Sequence, residues 1–213
     1  MKLEADGIEF SYGDKKILHS IYISLETGKV TGLLGRNGSG KSTLLQVMYG
    51  FITTETQSVR IQGKKLDNVK KIKNIAYLPQ YHFVPGNLKL KTILNDFNLE
   101  LSELEDFSNQ KMNLNMGFEN LSGGQKRILE IFLILKSDKK FIILDEPFSY
   151  LSPILVDKII KKVQEEKVNK AILITDHLYK HVLDISDELY LIQNGCTRKI
   201  KEKEELVQFG YLR

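Results

Sequence analysis

The sequence predicts an α/β fold: a mostly parallel sheet with covered faces, an antiparallel β-subdomain at the N-terminus and a small inserted helical lobe. Three observations carry this expectation. Short apolar runs of strand length alternate with stretches of helical periodicity, the pattern of a parallel sheet whose crossovers are helices. Residues 2 to 25 instead hold two apolar segments around Gly13-Asp14, a hairpin signal. Residues 88 to 120 change texture, with Leu, Asn and acids predominating and Ile93, Leu94 and Phe97 at helical offsets.

In order along the chain, Val30–Leu34 reads as a buried strand ending in Gly35, and Lys41–Tyr49 as a helix with Leu44, Leu45 and Met48 on one face. Residues 58–62 and Ile75–Leu78 read as strands, residues 125–135 as a helix, 141–144 as a buried strand and 154–166 as an amphipathic helix. Ala171–Thr175 and residues 189–192 complete the strands. The expected organisation is one domain over residues 1–213, with the helical lobe at about residues 86–135.

Composition narrows the function class. With 42% apolar and 27% charged residues in 213, the chain can fill a core and keep a polar surface. No apolar run approaches the roughly 18 residues a membrane helix requires. Acids in Met1-Lys2-Leu3-Glu4-Ala5-Asp6 stand where a signal peptide needs an apolar stretch, so neither a span nor export by that route is expected. The net charge of +4 is spread over many lysines, with clusters at Lys70-Lys71 and Lys161-Lys162; this reads as solvated surface, and no nucleic-acid partner is expected. Cys196 is the single cysteine, so there is no internal disulfide and no cysteine-based metal site. The charged residues 199–213 suggest no function.

Gly35-Arg36-Asn37-Gly38-Ser39-Gly40-Lys41-Ser42, followed by Thr43, fits the GxxxxGK[ST] phosphate loop, set between a strand and a helix as that motif requires. Glycines let backbone N–H groups close around phosphate oxygens, and the helix N-terminus adds partial positive charge. In such a loop Lys41 meets the β- and γ-phosphates of ATP and Ser42 offers a hydroxyl to Mg²⁺. The core is therefore of the P-loop NTPase type. A GTPase would add an Asn-Lys-x-Asp guanine reader after a strand, which is absent. The four apolar residues 141–144 run into Asp145-Glu146, and a buried strand delivers such acids to the sheet edge where ligands bind. Asp145 there holds Mg²⁺ and Glu146 polarises the attacking water.

Leu121-Ser122-Gly123-Gly124-Gln125, after the phosphate loop and shortly before Asp145-Glu146, resembles the signature of the ATP-binding-cassette superfamily, and the resemblance covers essentially the whole chain. It implies further roles. Tyr12 resembles the aromatic that stacks on adenine, with a hairpin aromatic as the alternative. Gln80, in Tyr77-Leu78-Pro79-Gln80, resembles the glutamine that reaches Mg²⁺ and the attacking water. His177 resembles the histidine that contacts the γ-phosphate. Catalysis would rest on Glu146, His177 and Gln80, and the metal on Ser42, Gln80 and Asp145. The family places Ser122, Gly123, Gly124 and Gln125 on the nucleotide of the opposite subunit, which implies a second cassette, identical or related, packed head-to-tail around two ATP molecules.

The same resemblance implies transmembrane permease subunits and a place on the cytoplasmic face of the membrane, with Tyr81, His82, Phe83 and Val84 as candidate contacts. Residues 145–153 and 174–177 look similar to cassettes serving lipopolysaccharide export and branched-chain amino-acid uptake, a likeness that fixes neither cargo nor direction. Ser152 departs from the family, which has aspartate there, in a loop that touches the other subunit. The alternative is a soluble cassette acting on ribosomes or DNA. Translation-type members carry two cassettes and repair members insert long coiled coils; this chain has neither.

Overall fold

The computed structural model describes residues 1–54, 56–66 and 74–212; Lys70-Lys71 lies outside them. The elements are β1 (Lys2–Tyr12), β2 (Lys15–Glu26), β3 (Val30–Leu34), α1 (Lys41–Tyr49), β4 (Thr56–Ile61), β5 (Lys64–Lys65), β6 (Ile75–Leu78), α2 (Leu90–Asp96) and α3 (Leu101–Ser108). After a 3-10 turn at Phe118–Asn120 come α4 (Gly123–Lys136), β7 (Phe141–Asp145), α5 (Pro153–Glu166), β8 (Ala171–Thr175), α6 (Tyr179–Ile185), β9 (Glu188–Gln193), β10 (Cys196–Ile200) and α7 (Glu205–Gln208).

Among the described residues these strands form two sheets. One is antiparallel, in the order β2-β1-β4-β5. The other runs β10-β9-β3-β8-β7-β6, parallel throughout except for β10. The five residues of β3, β7 and β8 are buried without exception, as expected of parallel strands covered on both faces. One apolar cluster fills the space between the two sheets and under α1, with Ile21, Ile23, Leu44, Ile143 and Leu173 in it. A second, with Leu34, Leu144, Val156, Ile159 and Val182, packs α5 and α6 on the opposite face. A third binds α2 and α3 to α4 through Leu90, Ile93, Leu94, Leu104 and Phe132.

Helix α4 belongs to two of these clusters. Leu129, Phe132 and Leu133 face the third, while Ile131, Ile134 and Leu135 face the second. Phe97 ends α2 as its C-cap and is exposed. One expectation is corrected here. Val84 is buried within the third cluster and is not a surface contact.

Candidate functional site

The site grows from the C-terminal ends of β3, β6, β7 and β8. Past β3, Gly35 passes so close to its neighbours that a Cβ there would lie 2.6 Å from Ser39 Oγ and 2.7 Å from the Ile192 carbonyl oxygen. Gly38 and Gly40 take φ of 76° and 99°, which side chains rarely tolerate. Gly40 is the N-cap of α1 and offers no side chain to cap it, so the first-turn N–H groups stay open to an anion.

Lys41 is buried, and its ammonium donates to the carbonyl oxygens of Gly35 at 2.8 Å and Arg36 at 3.3 Å. Among the described residues it forms no ion pair. Burial holds its pKa below the usual lysine range, against the pull of Glu146 and Asp145.

Asp145 ends β7 and is buried. Ser42 Oγ donates to its Oδ1 at 3.3 Å and Tyr77 OH to its Oδ2 at 3.0 Å. Burial, opposed by those two hydrogen bonds, holds its carboxyl above the usual range. Gln80 Nε2 donates to Ser42 Oγ at 3.1 Å, which closes a chain from Gln80 through Ser42 to Asp145.

Glu146 has a positive φ of 51°, a conformation that costs on the order of 1–3 kcal/mol in a non-glycine residue. Two contacts impose it: its N–H donates to the Thr175 carbonyl at 2.8 Å, and its own carbonyl accepts from Arg127 at 2.8 Å. His177 Nδ1 lies 3.9 Å from Glu146 Oε2.

Tyr12, Asn37, Gly38, Gly40, Lys41, Ser42, Thr43, Gln80 and Glu146 line one open cleft of ≈ 420 Å³. Tyr12 is 57% exposed and packs edge-on against Phe10 at 4.7 Å, so its ring edge is held while its outer surface stays free. Arg36 is turned elsewhere: its guanidinium donates to the Gly210 carbonyl at 2.9 Å, which gives the C-terminal segment a contact with the phosphate loop that the sequence did not suggest.

Ser122, Gly123, Gly124 and Gln125 do not line this cleft. They open α4 at the surface, where Ser122 Oγ accepts from the Gln125 N–H at 3.2 Å and Gln125 Oε1 accepts from the Ser122 N–H at 2.9 Å. A Cβ on Gly124 would meet the Tyr150 carbonyl at 3.4 Å, placing the loop against the segment before Ser152.

Sequence reasoning missed three residues. Tyr77 fixes Asp145; Arg127 braces the backbone around Asp145 and Glu146. Asp176 accepts the N–H groups of Phe148 and Leu178, both at 2.9 Å, so it joins the loop after Glu146 to the loop of His177. Its place beside His177 was visible, but its burial was not.

The profile of the ABC transporter family matches residues 18–149. The chain belongs to the ABC transporter family. It is 29% identical to the lipopolysaccharide export system ATP-binding protein LptB of Haemophilus influenzae, over 91% of this chain and 87% of that protein. Against the protein of the same name from Escherichia coli K12 the identity is 27%, with the same coverage. The structure of an ATP-binding subunit of an ABC transporter superposes with a TM-score of 0.87, covering 99% of this chain and 94% of that one; at 22% identity this shows the fold. The ADP conformation of an ATP-binding cassette of an ABC transporter is 26% identical, with a TM-score of 0.77 over 98% of this chain and 94% of that one. This cassette is thus an ATP-binding and ATP-hydrolysing motor of a transporter. Action on ribosomes or DNA is not favoured.

Proposed function

We propose that the cassette hydrolyses Mg²⁺·ATP as half of a two-subunit sandwich and so drives membrane-spanning permease subunits from the cytoplasmic face. One observation carries this reading. Lys41, Ser42, Gln80 and Glu146 converge on one cleft while the signature residues sit apart on the surface. A site split in this way is completed when a second cassette, identical or related, presents its own Ser122 to Gln125.

The residues fit the nucleotide and the metal. A buried ammonium without a carboxylate partner suits the β- and γ-phosphates. One carboxylate, one hydroxyl and one amide at Asp145, Ser42 and Gln80 suit Mg²⁺, which retains waters and binds substrate phosphate. When bound, Mg²⁺ neutralises charge on the phosphoryl group being transferred.

The chain's own side chains then divide the work. The open N–H groups of residues 40–43 and the Lys41 ammonium hold the triphosphate. Tyr12 stacks on adenine. Glu146 takes a proton from the attacking water, with Gln80 orienting that water and His177 on the γ-phosphate. The partner's Ser122 hydroxyl and glycine N–H groups close over the γ-phosphate, so that hydrolysis removes the contact holding the halves together.

Among the described residues no helix is long and apolar enough to cross a membrane, so contact with permease subunits falls to the surface. Tyr81, 82% exposed, and the neighbouring Phe83 supply an apolar surface directly after Gln80. This surface adjoins the lobe over about residues 86–135.

The test is a Mg²⁺-dependent ATPase assay on the purified chain beside Glu146→Gln. The wild type should turn over at least about 100-fold faster, the usual worth of a general base. Glu146→Gln should form an ATP-dependent dimer by light scattering. Wild-type turnover no higher than that of Glu146→Gln would overturn the reading.

A further inference from the structure

Helix α4 carries two ionisable side chains that a purely structural helix would not bury. Arg127 is 2% exposed and Glu130 is 0% exposed. They lie three residues apart, on one face of the helix. Both form hydrogen bonds with the segment that contains Gln80. Arg127 Nη1 donates to the Pro79 carbonyl at 2.7 Å, immediately before Gln80. Glu130 Oε1 accepts the Phe83 N–H at 2.7 Å and the Val84 N–H at 3.4 Å, and its Oε2 meets His82 Nδ1 at 2.9 Å, just after Gln80. Gln80 is therefore clamped from both sides by a single helix.

The same guanidinium reaches the catalytic strand. Its Nη2 donates to the carbonyls of Asp145 and Glu146, at 2.7 and 2.8 Å. Among the described residues its Nε is buried without a partner. Burial lowers the guanidinium's pKa, and the charge of Glu130 is the largest opposing influence. A buried pair with an orphaned N–H is a poor way to stabilise a fold, since apolar packing of the same volume does so as well or better. The cost makes sense if what the pair secures is position.

We propose that Arg127 and Glu130 are positioning residues that hold Gln80 in register with Asp145 and Glu146. The clamp also ties that register to the signature, because Arg127 and Glu130 stand on the first two turns of the helix that Ser122 caps. A push on the exposed Tyr81 and Phe83 reaches Gln80 along the backbone, and reaches the signature through Glu130. This rests on the proposed role of Gln80 at the metal and the attacking water.

Glu130→Gln keeps the shape and one acceptor oxygen; Gln80→Ala removes the group being positioned. ATPase rates are measured for the full chain, both single variants and the double variant, with melting temperatures alongside. The expected result is a fall in kcat of about tenfold or more for Glu130→Gln with less than about a threefold change in KM, the mark of an interaction used in the transition state. The double variant should be no slower than Gln80→Ala, since groups acting as a unit are not additive. Arg127→Lys, which cannot span three carbonyls, should behave like Glu130→Gln.

A Glu130→Gln protein with wild-type kcat overturns the proposal. So do losses at Glu130 and Gln80 that multiply. A drop confined to melting temperature and active fraction assigns the pair to stability alone and overturns it too. If wild type turns over no faster than Glu146→Gln, the hydrolysis reading fails separately. The same cycle is then read as the ratio of ATP affinities with and without Mg²⁺, and additive effects there reject the clamp.

Discussion

The phosphate loop and the signature loop each open a helix with glycine, yet one leaves its first-turn N–H groups uncapped and the other caps its own. Gly40 caps α1 with no side chain, Lys41 has only its own loop's carbonyls, and Asp145 is held above its usual pKa by burial. Ser122 and Gln125 close a reciprocal capping box at the surface, so α4 starts cleanly without any ligand. The signature loop is closed on itself, and in the proposed sandwich it meets the nucleotide held by the other cassette.

Separating the two loops by mutation gives the largest effect. Lys41→Ala should weaken ATP binding to the single chain by about 100-fold, the scale of a charge-assisted hydrogen bond removed from a buried site. Ser122→Ala should leave that affinity unchanged and cost about 1 kcal/mol of stability, because the α4 N-cap is gone. Turnover should fall with both. Calorimetric titration with ATP checks this, and equal loss of affinity in the two variants would erase the distinction.

A titration sharpens it. The Asp145 carboxyl has a folded-state pKa raised above the ordinary 3.8, so the folded protein binds this proton more tightly than the unfolded chain. Its contribution to stability is full below 3.8 and is lost as pH rises through the raised value. Asp145→Asn removes that loss. Without nucleotide the variant should melt higher than wild type at neutral pH, with the gap closing towards pH 4. Parallel melting curves from pH 4 to 8 would contradict it.

The smallest effect is expected where the signature side meets the loop after Glu146. Ser152 is the N-cap of α5 but makes no side-chain cap hydrogen bond. Ser152→Asp places an anion at that helix N-terminus and should add about 0.5 kcal/mol. It also restores the family's residue, so turnover should rise. Scanning calorimetry and steady-state ATPase measure the two, and slower turnover would show that serine suits this chain better.

Much of the proposed site was legible because its motifs lie in consecutive residues. The phosphate loop, the acid pair and the signature each announce themselves within nine positions, and the buried strands β3, β7 and β8 read as unbroken apolar runs. Val84 misled, because an apolar residue beside exposed aromatics says nothing of which cluster lies beneath it.

By itself the sequence determined the parallel-sheet class, and it marked the loop proposed to hold phosphate and the side chains proposed to do the chemistry, because periodicity and motif spacing are local. Only the tertiary structure decided how those parts register. Tyr77 and Asp145 are 68 positions apart, and Thr175 reaches the Leu33 carbonyl across 142. Arg127 and Glu130 read as ordinary charges on an apolar helix until the fold buried them against residues 79–84 and the end of β7. Their role depends on which strand lies beside which, and that is set by the packing of the whole sheet.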